Sequence, residues 1–112
     1  MTAPLENLPE VRSYAATTDG TGSVNLTDTG SSYERLPEGV STISISSKQA
    51  DLTVYLSTGT AAASRYVIRD VKAGETVVLS GVPVPRGERR FMQIRAQSAG
   101  DVGVTIITYP LA

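Results

Sequence analysis

The sequence predicts an all-β domain, an antiparallel β-sandwich of jelly-roll-like form or a small barrel, carrying an extended N-terminal arm. Three observations point there. From Val40 onward apolar residues recur with period two; turn signals separate these runs at intervals of about 8 to 13 residues; and nothing after Val40 holds an amphipathic helical stripe. At 112 residues the chain is one domain at most. That length buries roughly two thirds of the unfolded surface, enough to fold without staples.

Residues 1–38 read as an extended polar arm with short strands, and residues 39–112 as the sandwich. The arm is rich in Thr, Ser, Gly and Asp and is punctuated by Pro4, Pro9 and Pro37. Leu5, Leu8 and Val11 stand at helical spacing within it, in a run too short to hold as a helix alone. They are the expected anchors of the arm.

In "VSTISISS" Ile43 and Ile45 share a face, and in "DLTVYLS" Leu52, Val54 and Leu56 do. "RYVIRDV" places Tyr66 and Ile68 on one side and Arg65, Val67 and Arg69 on the other. A hairpin around Ala61 would set Leu56 against Tyr66 and Val54 against Ile68 inside, with Tyr55 against Val67 outside. A short strand at residues 76–79 follows the "KAGE" turn. Pro83 and Pro85 then forbid a central strand. The last two strands alternate clearly, Met92, Ile94 and Ala96 in one and Val102, Val104 and Ile106 in the other. A loop centred on Gly100 would pair Ile94 with Ile106 and Ala96 with Val104. Gly74, Gly87 and Gly100 each precede an acid, Glu75, Glu88 and Asp101, thirteen residues apart. This device is expected to mark turns.

Composition narrows the chemistry. There is no cysteine and no histidine, which removes thiolate sites, the commonest general base and the commonest metal ligand. No cofactor or metal is implied. The opening "MTAPLENLPEVRSY" has no basic or apolar leader pattern, and no run approaches a membrane span, so a soluble protein made in the cytosol is the expectation. Asn25-Leu26-Thr27 would be a glycosylation acceptor only in a secretory setting. Residues 1–51 carry three basic and seven acidic side chains and residues 52–112 seven and four, for an overall −1. So small a basic excess does not point to nucleic acid. The asymmetry suits docking of one half on the other, or on a neighbouring copy.

Catalytic motifs are thin. Asp28-Thr29-Gly30-Ser31 resembles the active-site loop of aspartic proteases, but Thr27 precedes it and no apolar-apolar-Gly supporting motif follows. Asp19 to Ser23 has too few carboxylates for a calcium loop, and a solvated turn accounts for it. A serine nucleophile would have to use Lys48 or Lys72 as base, and neither sits in a recognisable motif. Sugar binding would have to stack on tyrosines, since there is no tryptophan and one phenylalanine.

The arginines carry more. Arg86, Arg89 and Arg90 cluster before the penultimate strand, and Arg95 shares a face with Phe91. Arginine beside outward aromatic residues is the composition of an interface core, with a solvated, edge-guarding face as the plain alternative. The expected interface set is Leu5, Leu8, Val11, Tyr55, Arg65, Val67, Arg69, Arg86, Arg89, Arg90 and Phe91.

The run "ADLTVYLSTGTAAASRYVIRDVKAGETVVLSGVPVPRGERRFMQIRAQSAGDVGVTIITY", from Ala50 to Tyr109, is similar to a pattern in small virion proteins of tailed bacteriophages. The order of an alternating strand, a small-residue loop, an "AGET" turn, a Pro- and Gly-containing segment and a closing strand before "SAGDV" carries the likeness, over roughly half the chain. The resemblance implies a non-enzymatic structural protein that decorates or cements the capsid exterior. Its partners would be the major capsid protein or other virion proteins, in a homo-oligomer, with neither nucleic acid nor membrane. A neck or tail component, a carbohydrate- or receptor-binding module and a dimeric protease are the alternatives.

Overall fold

The computed structural model describes residues 8–24, 34–57 and 65–110, with residues 65 and 66 described as backbone alone. Eight strands follow one another: β1 (Glu10–Asp19), β2 (Glu34–Arg35), β3 (Gly39–Ser47), β4 (Leu52–Ser57), β5 (Arg65–Val71), β6 (Thr76–Val84), β7 (Phe91–Ala96) and β8 (Ala99–Tyr109). They form two four-stranded antiparallel sheets, sheet A in the order β1-β8-β3-β6 and sheet B in the order β2-β7-β4-β5. The first strand pairs with the last, the second with the second last, the third with β6 and the fourth with β5. Such a chain is a long two-stranded ribbon rolled so that β3 also meets β8 and β4 also meets β7. That is the eight-stranded, double Greek-key plan of a jelly roll.

Period-two alternation sets the core. Ile43 and Ile45 from β3 and Val102, Val104 and Ile106 from β8 point inward from sheet A; Leu52 and Val54 from β4 and Met92 and Ile94 from β7 meet them from sheet B, all buried. Each such side chain contributes about 1.5–3 kcal/mol on leaving water. Ser41 and Thr108 are neighbours in the same interior, and their hydroxyls bond each other at 2.8 Å. The pairing removes the penalty of burying either alone.

Of the segment read as an arm, residues 10–24 and 34–38 lie on the sandwich. β1 runs along β8 from Glu10–Thr108 to Asp19–Ala99 without a register shift, and Val24 and Leu36 are buried in the core. Val11 therefore stands in a strand. Leu5, the Asn25–Thr27 triplet, Asp28–Ser31 and the loop around Ala61 lie outside the described residues.

β4 and β5 form the expected hairpin, with Leu56 against Tyr66 and Tyr55 against Val67. Val54 meets Arg69 and not Ile68, because a bulge between Val54 and Tyr55 takes in Ile68 as an extra residue. The expected β7–β8 hairpin does not form. Ile94 pairs with Val54 in sheet B and Ile106 with Ile43 in sheet A, so the chain crosses between sheets at residues 97–98. β6 reaches Val84 through Pro83, which an edge strand tolerates because one side of its backbone owes no ladder bond.

Two of the three Gly-acid pairs are turns. Glu75 N–H donates to the Lys72 carbonyl at 2.9 Å and Glu88 N–H to that of Pro85 at 3.0 Å. Gly74 (φ 85°) and Gly87 (φ 81°) supply the positive φ that such turns need at their third residue. Gly100 differs: it lies inside β8, and an added Cβ would come within 2.8 Å of the Ala50 nitrogen. Gly74→Ala, with open space around it, should cost about 1 kcal/mol of backbone strain, and Gly100→Ala more than about 2 kcal/mol. Urea unfolding midpoints check the order.

Candidate docking surface

Outward side chains of sheet B assemble in rows set by the register. Arg35, Phe91 and Ser57 stand side by side across β2, β7 and β4, with the backbone of Arg65 opposite Ser57 in β5; Gln93, Tyr55 and Val67 make the next row; Arg95, Thr53 and Asp70 the third. Neighbouring strands are about 4.8 Å apart, so each row is a line of adjacent residues. Thr53, Ser57 and Gln93 are buried although they point away from the core. They are flanked by longer neighbours and hydrogen-bonded: Gln93 donates to Ser23 at 2.8 Å, Thr53 to Asp70 at 3.1 Å, and Gln97 to Thr53 at 2.6 Å. Asp70 is the one acid among these rows. Their described basic side chains are Arg35 and Arg95.

The expected interface residues are thus partly brought together. Tyr55, Val67 and Phe91 share this face, and Arg65 takes its place there by register. Arg69 is exposed on the neighbouring edge strand β5. Arg86 and Arg89 are exposed in the β6–β7 connection, and half-buried Arg90 pairs with Glu88 at 3.4 Å and donates to the Arg89 carbonyl. Leu8 and Val11 are exposed elsewhere, Val11 on sheet A. Arg35 was not among the expected residues, for it lies in the polar stretch whose strand is two residues long.

A polar cluster closes the rim where β1, the edge of sheet A, meets β2, the edge of sheet B. The Tyr14 hydroxyl donates to buried Glu34 at 2.8 Å, and Arg12 contacts Glu34 at 3.4 Å and Glu10 at 2.8 Å. The bond to Glu10 raises the Arg12 pKa. Burial, and then the bond to Glu34, holds the Tyr14 hydroxyl above the ordinary tyrosine range. A depression of about 400 Å³ beside the cluster is lined by Arg12, Arg35, Leu36, Pro37 and Glu38. Arg35 therefore borders both the rim and the sheet B face.

Residues considered for chemistry stay apart. Lys48 and Lys72 are exposed. Asp19 accepts bonds from the backbone and hydroxyl of Thr21, and the hydroxyl bond above all lowers its pKa. Among the described residues no group of acids is placed to hold a metal ion, and no helix is long and apolar enough to cross a membrane. No family model, curated protein or solved structure matches the chain.

Tyr14 yields a pH prediction. Because its folded pKa lies above the unfolded value near 10, the native state holds that proton more tightly, and the stability it contributes is complete below about pH 10 and lost as pH rises through the folded value. Tyr14→Phe should cost about 1 kcal/mol near neutrality. Its deficit against the parent should shrink above pH 10, read from denaturation midpoints at both pH values.

Proposed function

We propose that this chain is a non-enzymatic structural protein that decorates or cements a virion shell, docking through the outward face of sheet B onto the major capsid protein or another virion protein. The observation that carries the reading is the grouping of Arg35 and Arg95 with Tyr55 and Phe91 on one rigid sheet face, over short polar side chains already buried and bonded. Guanidinium groups are weakly hydrated and tolerate burial against a partner. Arginine and tyrosine are the residue types that dominate interface energetics. The likeness of residues 50–109 to small phage virion proteins supplies the setting. On a repeating shell each contact can be modest, since many identical sites are filled together.

The face is basic, so its partner surface is acidic, and such complementarity fixes register as well as affinity. Quantitative mass spectrometry of purified particles from the source tests the reading. Hundreds of copies per particle are expected; a handful would move the protein to the neck or tail, and absence would overturn the virion assignment. Arg35→Glu with Arg95→Glu should weaken particle binding about 100-fold, as loss of interface hot spots does, while the unfolding free energy stays within about 0.5 kcal/mol of the parent's.

A further inference from the structure

The outward face of sheet A is built on the opposite principle. By register its rows are Tyr109–Val40–Pro83, then Val11–Ile107–Thr42, then Ser13–Thr105–Ser44–Val78, then Ala15–Gly103–Ser46–Thr76. These four rows hold no charged residue, in a chain that is 19% charged. Five of the six large hydrophobic residues exposed among the described residues, Leu8, Val11, Val40, Val78 and Tyr109, lie in or beside sheet A, with Val67 the exception. Charge depletion of this kind marks the centre of an interface.

The relief of the face is as telling as its polarity. One end is raised by Tyr109, which is 55% exposed. Toward the other end lies a depression of about 440 Å³ above Gly103, bordered by Ala15 and Ser46, with Lys48 and Asp101 at its rim. Gly103 is flat strand backbone, and a Cβ added there meets nothing within 4 Å. Knob and hole stand six residues apart on the same strand, β8.

We infer that this face is a twofold interface with a second copy of the chain. Two copies would stack sheet A on sheet A with their β8 strands antiparallel, so that Tyr109 of each fills the depression over Gly103 of the other. A twofold contact requires a face complementary to itself, and one β8 strand supplies both halves of the fit. A tyrosine suits the site, its ring on the apolar floor and its hydroxyl at the charged rim. Electrostatics selects the occupant too: the arginine face of sheet B would repel its own copy, whereas the four neutral rows bring no like charges together. Fourteen residues, on strands about 4.8 Å apart and in rows about 6.6 Å apart, give a footprint of about 450 Å². Stacking two copies therefore removes about 900 Å² from solvent, the size of a weak, transient contact.

Sedimentation equilibrium of the full chain at about 100 μM, above the micromolar range expected of a contact this small, should give twice the 11.8 kDa chain mass. Gly103→Arg and Tyr109→Asp should each weaken association at least about tenfold while melting as cooperatively as the parent. The Arg35→Glu, Arg95→Glu variant should keep the doubled mass, which separates this contact from the docking face. Since the chain has no cysteine, Gly103→Cys and Tyr109→Cys can be made singly, mixed and oxidised. The mixture should cross-link between copies and neither variant alone should. A parent of single-chain mass, a doubled mass that survives both disrupting variants, or a mixture that does not cross-link would overturn the inference.

Discussion

Sheet A depends on the pairing of the first strand with the last. β8 is hydrogen-bonded to β1 along one side and to β3 along the other, with no register shift on either. Without it β1 has no neighbour in the sheet, and β3 and β6 are left as a two-stranded ribbon that is marginal in water. Because Glu10 pairs with Thr108, the contact closes a loop of nearly the whole chain. Loop-closure entropy must be met before the reward arrives, which places folding among the slower, topology-limited cases. The rim cluster of Tyr14, Arg12 and Glu34 then joins β1 to sheet B. The N-terminal strand is thereby bound to both layers.

How much of this was legible in the sequence depended on what each strand faces. Ile43, Ile45, Leu52, Val54, Met92, Ile94, Val104 and Ile106 face the core, and their alternation showed which side of each strand is buried. β1 was hidden because it lies at the rim, where its inward residues are Arg12, Tyr14 and Ala16 and its outward ones Val11, Ser13 and Ala15. Polar and apolar residues occur on both sides, so no period stands out. The crossing between β7 and β8 was invisible for another reason. "SAGD" is as good a hairpin turn as a crossover, and only the competition of all strands for partners decides between them. Gly100 illustrates the limit: its glycine answers a close approach of Ala50, a neighbour fifty residues away.

The outward face of sheet B was legible in part. Parity set Tyr55 beside Val67 and turned Phe91 to the same side as Arg95, but Phe91 joins Tyr55 only because β7 pairs with β4, and Arg35 reaches the row of Phe91 only because β2 pairs with β7. The neutral face of sheet A left almost no trace, since serine, threonine and glycine read as turn or loop residues in a linear sequence. Their meaning comes from the register that aligns them. A row such as Ser13–Thr105–Ser44 draws on three strands separated by up to 92 positions.

Two faces so different in charge respond to ionic strength in opposite directions. Contacts made by exposed arginines fade as the Debye length contracts from about 10 Å at 0.1 M salt to about 3 Å at 1 M. Contacts between uncharged faces hold, and salting-out anions such as sulfate strengthen them. In an assembly held by both, brine would strip the protein from its acidic support as pairs. Dilute buffer would favour the opposite order, single chains staying on the support while their mutual contact loosens. In such an assembly the order of release would follow from which sheet carries the arginines.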